Sequence, residues 1–334
     1  MISYRDAIPT LDKKDIEEFL DKFDLKLERD VDYTVIAEDD GKIIATGSLS
    51  ENVLKCFAVD PNYQGMALSN TIITKLLEKA YSMDRKHLFI FTKPDNERIF
   101  KDFGFETVAK VEEVVLLDNK IENLYKILDD LKNDVPSGVI VVNANPMTWG
   151  HFKLIEEAAS RVEKLFVFVV SEDKSVFPFE FRYDIVKKAC ESLENVEVIK
   201  SNDYIISRNT FPTYFYKDSK VIIEAYTKLD ITIFGKYFAQ AMNIKTRFVG
   251  TEKSDVVTAD YNKKMKEILP KYGVNLVEIE RFKEEGEIIS ASTVRKLLSE
   301  NKLDEAKKLV PDVTWQALKT PEGQRIIHGL QENS

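Results

Sequence analysis

Apolar positions along the chain follow two different spacings, and the switch between them divides it. In the first third, short runs rich in β-branched and aromatic residues read as strands. They are Asp32–Ala37, Lys42–Leu49, Leu54–Val59 and Leu88–Phe91. Asp40–Gly41 joins the first two as a hairpin turn. Ile72, Ile73, Leu76 and Leu77 recur at three and four residues, the spacing of an amphipathic helix. A second helical stripe, Ile121, Leu124, Leu128 and Leu131, ends at the turn-forming run Asn133 to Gly138, where Pro136 breaks the helix. That run predicts a boundary between two domains, 1–134 and 135–334. Beyond it, strands are predicted at Val139–Val142, Leu165–Val170, Val196–Ile199, Ile231–Phe234, Arg247–Val249 and Val274–Ile279, with helical stretches between most of them. This alternation predicts a parallel, doubly wound sheet that binds its ligand at the carboxyl ends of the strands. The tail from Pro311, with Trp315, Leu318 and Ile326–Ile327, reads as a capping helix.

The composition narrows the class. Hydrophobic residues make up 44% and charged residues 31%, as in a soluble globular protein. No apolar run approaches a membrane span and the N-terminus lacks a signal peptide, so the expected location is the cytoplasm. Cys56 and Cys190 are isolated, one in each half, which argues against a disulfide framework or a zinc site. The formal net charge of −9 disfavours nucleic acid as a partner. His87 and His328 stand alone and read as structural or surface residues.

Candidate chemistry gathers after the strands. Asn143, Ala144, Asn145, Pro146, Met147, Thr148, Trp149, Gly150 and His151 follow a strand and open a helix carrying Leu154, Ile155, Ala158, Ala159 and Val162. Unpaired N–H groups and the helix dipole make such a junction an anion site. Gly150 allows close backbone approach, and His151 is a hydrogen-bond donor for a phosphate or a developing charge. Ile289, Ser290, Ala291, Ser292, Thr293, Val294 and Arg295 likewise open a helix, with Ser292 as the expected N-cap and Arg295 in the first turn. A cation there opposes the helix dipole, a conflict that a bound anion would remove.

Thr148-x-Gly150-His151 resembles the (His/Thr)-x-Gly-His signature of nucleotidyltransferase-like α/β enzymes. The Ile289 to Arg295 run resembles their second phosphate signature, Ile-Ser-Ser-Thr-x-x-Arg, with Ala291 and Ser292 at the Ser-Thr positions and so one hydroxyl fewer. The resemblance implies ATP, with Mg²⁺ bridging its phosphates and no dedicated protein metal site. Asn143, Ala144, Asn145, Gly150, Ser290, Ser292, Thr293 and Arg295 would hold the phosphates, and His151, Thr148 and Lys174 would act in catalysis. Lys174 lies in the loop after the second strand, where these enzymes place a lysine. Arg182, just beyond it, is either the arginine of the same pattern or a helix-surface partner of Glu180 or Asp184. Gly250 and Glu252 fall where the fold contacts adenosine. The polar and aromatic run from Ser201 to Phe215 would shape the substrate pocket, with Tyr204, Ser207 and Arg208 as its candidates and Tyr204, Phe211 and Phe215 alternatively packing the loop. This run is similar to the corresponding segment of the citrate lyase ligase family. So are Arg247 to Glu252, Val257–Thr258 and Tyr261–Asn262, and the likeness covers nearly the whole chain.

The N-terminal order of elements resembles the GNAT acetyltransferase fold. There, the loop Gln/Arg-x-x-Gly-x-Gly/Ala holds the pyrophosphate of acyl-CoA on backbone N–H groups. Here Gln64, Gly65, Met66, Ala67, Leu68 and Ser69 keep one glycine and replace two by Ala67 and Ser69. Three roles stay open: a working acetyltransferase, binding of a CoA-like arm alone through Gln64, Gly65, Ala67 and Ser69, or a structural and docking part. As a whole, the resemblance implies a GNAT-like α+β domain followed by a Rossmann-like parallel-sheet nucleotidyltransferase domain. The implied reaction joins acetate to the thiol arm of the citrate lyase acyl-carrier subunit by way of acetyl-AMP, releasing pyrophosphate and AMP. Two rivals remain: a nucleotidyltransferase acting on a phosphorylated metabolite, and a non-catalytic nucleotide and CoA sensor.

Overall fold

The turn at Asp40–Gly41 places both residues at positive φ, 47° and 76°, which suits the right-handed twist of a two-residue hairpin. A computed structural model shows it within one of two compact units. Residues 1–28, 30–63, 65–171, 175–205, 219–251, 256–284 and 287–332 are described below. The first unit comprises Met1–Lys126 with the part of a later helix up to Leu229, and the second comprises the rest.

The first unit contains β1 (Ser3–Asp6), α1 (Pro9–Asp21), β2 (Tyr33–Asp39), β3 (Lys42–Ser50), β4 (Val53–Val59), α2 (Leu68–Ser82), β5 (Phe89–Thr92), α3 (Glu97–Lys101), β6 (Glu106–Lys110) and β7 (Val115–Asp118). Helix α4 (Glu122–Asp130) crosses the division between units. The sheet order is β1-β2-β3-β4-β5-β7-β6, antiparallel except between β4 and β5. That parallel pair is joined only at Val53↔Phe89 and Leu54↔Ile90. Just past it, Cys56 takes φ 53° and breaks the register of β4 against β3, as a bulge does. The strands part, and a cavity of about 970 Å³ opens among Leu54, Phe57, Phe91, Lys93, Ala67 and Ser69. The helical stripe buries Leu68, Ile72, Ile73, Leu76 and Ala80 of α2 on the sheet. The approach is close because β3 has no side chain at Gly47, where a Cβ would come 2.7 Å from Ile72 and Leu76.

The second unit contains β8 (Ser137–Val142), α5 (Trp149–Ala159), β9 (Lys164–Val169), α6 (Phe179–Cys190), β10 (Val196–Lys200), α7 (Ser219–Ile233), α8 (Ala239–Ala241), β11 (Ile244–Gly250), α9 (Val256–Ile268), β12 (Asn275–Ile279), a small ribbon of β13 (Lys283–Glu284) and β14 (Glu287–Ile288), then α10 (Ala291–Ser299), α11 (Leu303–Lys308), α12 (Asp312–Leu318) and α13 (Pro321–Glu332). Its main sheet is parallel throughout, in the order β10-β9-β8-β11-β12. The chain builds outward from β8 to β10, then returns to add β11 and β12 on the other side. The crevice between β8 and β11 is therefore the switch point at which such sheets bind ligands. Val142, Val167, Ile155, Phe181, Val294 and Leu298 share one core under the helices of one face.

One expected strand is absent. Ile231–Phe234 closes α7 and enters a π-helical turn, Phe234–Phe238. The run is short, β-branched and apolar, so its composition suits a strand. Burial on several sides explains the apolarity instead: Leu229, Ile231, Ile233, Phe234 and Phe238 are all buried. Cys56 and Cys190 are both buried and unpaired, and burial pushes each thiol up to about 12. Among the described residues no helix is long and apolar enough to cross a membrane.

Candidate active site

Helix α5 starts at Thr148, whose extended backbone (φ −120°, ψ 168°) and side chain cap it. The His151 N–H donates to Thr148 Oγ1 at 3.4 Å, and the Thr148 N–H donates back to His151 Nδ1 at 3.1 Å. Thr148 Oγ1 also lies 2.9 Å from Nδ1. This is a capping box in which histidine takes the place of the usual Glu or Gln. A backbone N–H only donates, so Nδ1 is an acceptor and the ring proton sits on Nε2. Burial, and after it the charge of Arg281, lower the imidazole to about 4. His151 is thus a neutral donor through Nε2.

The second signature lies against the first. A Cβ on Gly150 would come 2.8 Å from the carbonyl oxygen of Ile289, so only glycine lets the two backbones approach this closely. Arg295 donates from Nη1 to the carbonyl of Asn145, which ties the same two segments a second time. Burial holds the Arg295 guanidinium below its usual range, and no carboxylate among the described residues pairs with it. The cap of α10 differs from expectation. It is Ser290, whose Oγ accepts from the Thr293 N–H at 3.1 Å, while Ser292 is the second residue of the helix and bonds Ser290 Oγ at 2.8 Å. A cap must reach the N–H three residues on while keeping extended φ and ψ, and Ser290 (φ −126°, ψ 150°) does both. Arg295 consequently falls in the second turn rather than the first, away from the dipole's positive end.

Between β8 and α5 the chain turns through Ala144, at φ 48° and buried. The turn is organised by Arg182, which is fully buried. Its Nη1 donates to the Asn143 carbonyl at 2.8 Å, to Asn143 Oδ1 at 2.9 Å and to the Val170 carbonyl at 2.9 Å, and its Nε donates to the Phe177 carbonyl at 2.9 Å. Asn145 Oδ1 accepts from the Phe177 N–H at 3.0 Å. Arg182 is therefore no surface partner of its own helix, and Glu180 pairs instead with Lys200 at 2.7 Å. A buried guanidinium is costly unless its donors are satisfied, and the carbonyls of Asn143, Val170 and Phe177 accept from it here.

Gly250 ends β11, beside the switch point. Arg281 lies over it, with Cγ and Nε 3.4 and 3.5 Å from where a Gly250 Cβ would stand. The Arg281 N–H donates to Thr251 Oγ1 at 3.4 Å. Arg281 follows the carboxyl end of β12, so the rule that picks out the other candidates picks it out as well. Asn262 approaches the Gly250 carbonyl at 3.4 Å. Arg247 is buried beneath the Phe234 ring, 4.6 Å from its centroid, and Tyr261 bonds Asp230, so this part of the family-like segment packs the sheet's other face. Tyr204 is 1% exposed. Lys174, Ser207, Arg208, Glu252 and Gln64 lie outside the described residues. No group of three or more His, Cys, Asp or Glu placed to hold a metal occurs among the described residues.

In the first unit, Ala67 precedes α2 with φ 56° and Gly65 has φ 83°. Ala67 holds a conformation that favours glycine, and no side chain caps the helix. Ala67 and Ser69 line the cavity between β4 and β5.

Comparison with known sequences gives these features relatives. Residues 137–318 match the citrate lyase ligase C-terminal domain, and residues 7–115 match the acetyltransferase (GNAT) domain. The citrate (pro-3S)-lyase ligase of Escherichia coli (strain K12) is 40% identical over 316 residues, covering 91% of this chain and 89% of its own. That of Haemophilus influenzae is 39% identical, covering 91% and 94%. A phosphopantetheine adenylyltransferase of Streptococcus gordonii is 33% identical over 107 residues, 30% of this chain and 65% of its own.

Proposed function

We propose, from the premise that the chain belongs to the citrate lyase ligase family, that it uses ATP to acetylate the thiol arm of the citrate lyase acyl-carrier subunit in the cytoplasm. In the first step an acetate oxygen attacks the α-phosphorus in line, and the bond from that phosphorus to the bridging oxygen breaks. The products are acetyl-AMP and pyrophosphate. In the second, the carrier's thiolate attacks the acetyl carbon, the thioester forms and AMP leaves with the electron pair. Both steps call for charge stabilisation and positioning rather than a covalent enzyme intermediate.

The observation that carries this reading is the meeting of two signatures at the switch point, through Gly150 against Ile289 and Arg295 on Asn145. It presents two helix N-termini and the Nε2–H of His151 to one region. A neutral imidazole with its proton already on Nε2 is suited to negative charge that grows on a phosphate oxygen. We assign the phosphates to Asn143, Ala144, Asn145, Gly150, Ser290, Ser292, Thr293 and Arg295, with Thr148 setting the ring and Lys174 as a further cation. Gly250 and Glu252 would meet adenosine. Tyr204, Ser207 and Arg208 would border the acetate pocket, with the burial of Tyr204 making it a wall. Among the described residues the phosphate region gathers hydroxyls and cations, which suits Mg²⁺ carried in on the triphosphate, where it would neutralise charge.

Residues 135–334 would then form the catalytic domain and residues 1–134 the part that receives the carrier's arm. The support is the cavity between β4 and β5, with the backbone of Gly65, Ala67 and Ser69 at its rim. Pyrophosphate release from ATP and acetate without carrier tests the first step, and hydroxylamine trapping of the acetyl group identifies the intermediate. Pyrophosphate release that requires a phosphorylated acceptor instead would establish adenylyl transfer to a metabolite. No release under any acceptor, with ATP still bound, would leave a sensor.

A further inference from the structure

Beyond the residues of the two signatures, the carboxyl end of β12 brings a third basic residue to the same region. Arg281 stands two residues past that strand. Its backbone is held to β11 by the bond to Thr251, and its stem runs back over Gly250. A methyl group at Gly250 would already touch that stem at 3.4 Å, so a larger side chain there would displace it. From this position the guanidinium, after burial, helps hold the His151 ring neutral. Arg281 thus bridges, in reach, the strand end next to the nucleoside region and the imidazole next to the phosphate region. A guanidinium disfavours a second cation in its field and favours an anion, which can accept from it and from a neutral ring N–H.

We infer that Arg281 is a nucleotide-binding residue whose guanidinium donates to phosphate oxygens of the bound ATP beside His151. This rests on the nucleotide reading of the site given above. The role differs from that of Arg295. Arg295 already spends a donor on the Asn145 carbonyl and closes the two signatures on each other. Arg281 approaches from the neighbouring strand and sets where along the crevice the polyphosphate lies. A planar fork serves this better than a point charge, since it can span two oxygens at once.

The test uses the full chain, with ATP affinity measured by calorimetry for the parent, R281M and R281K. R281M is expected to weaken ATP roughly tenfold or more, the scale of one lost hydrogen bond to a charged group, with thermal stability retained. R281K is expected to recover part of that affinity and not all. The protein has three histidines, so the His151 ring can be followed through its NMR titration. Its midpoint is expected to rise from about 4 in R281M and to stay low in R281K, a response that a purely structural arginine elsewhere would not give. ATP binding by R281M equal to the parent's would overturn the inference and leave the proposed function standing. A parent that binds no ATP would overturn both together.

Discussion

Helix α5 begins beside the crevice of its sheet and helix α2 beside a cavity, and they begin differently. Helix α5 is capped by Thr148, boxed by His151 and pressed by Gly150 against the segment that starts α10. Helix α2 has no side-chain cap, and Ala67 precedes it in a left-handed conformation. The first arrangement fixes donors rigidly and places Arg295 and Arg281 nearby. The second leaves backbone N–H groups at the rim of a large cavity and adds little that is directed. Rigid, charged donors serve a reaction in which charge moves, whereas bare N–H groups serve an anion that only has to be held. The same local physics can thus support chemistry in one unit and docking in the other.

The largest expected effect is at His151. His151→Ala should lower turnover of the adenylation step by about 10²–10³, the usual cost of losing one preorganised donor. ATP affinity should fall far less. Steady-state pyrophosphate release with separate kcat and KM checks this, and a variant with parental turnover but poor ATP affinity would move His151 from the reaction to simple binding.

Next in size is Arg295→Lys. A lysine keeps the charge but loses the planar fork that reaches both the Asn145 carbonyl and an anion, so kcat/KM for ATP should drop by about tenfold. Parental kinetics in this variant would detach Arg295 from phosphate recognition.

A smaller and more selective effect is expected from Ser69→Glu in the first unit. A carboxylate in the first turn suits the dipole of α2, so the fold should be unharmed. It should repel a diphosphate at the cavity rim by a few-fold in KM for the carrier. Acetyl-AMP formation and transfer to a small free thiol should not change. If carrier kinetics are also unchanged, the arm does not enter here.

A last effect is read on stability rather than on kinetics, as a pH dependence. His151 is held at about 4 in the folded state against about 6.5 in the unfolded chain. The unfolded state therefore binds more protons between these values, and stability rises with pH across that window. The contribution of the ring is present above about 6.5 and is lost as pH falls towards 4. Thermal melts of the parent and His151→Gln over pH 4 to 7 should differ in slope, with the parent steeper.

Much of this was legible in the chain because spacing encodes it. Alternating strands and helices gave the parallel sheet, and the stripe at Ile72, Ile73, Leu76 and Leu77 gave α2. Ile231–Phe234 misled because a short β-branched run carries no period of its own, and only its surroundings decide between strand and helix. The cap of α10 was placed at Ser292 because two serines stand close together, and the choice depends on backbone angles that composition does not record. Of the two readings of Arg182, the helix-surface partner of Glu180 or Asp184 fails, because its guanidinium is buried among the carbonyls of Asn143, Val170 and Phe177, which composition does not show. Arg281 belongs to no motif, and its placement comes from strand order.

The close approach of Gly150 to Ile289 also bears on synthesis. The two halves of the site come from near the beginning and the end of the second unit. A growing chain that has exposed β8 to β12 but not α10 holds no carbonyl against Gly150 and no guanidinium on Asn145. A polypeptide released or paused before that point would carry the sheet without the contacts that join the two signatures.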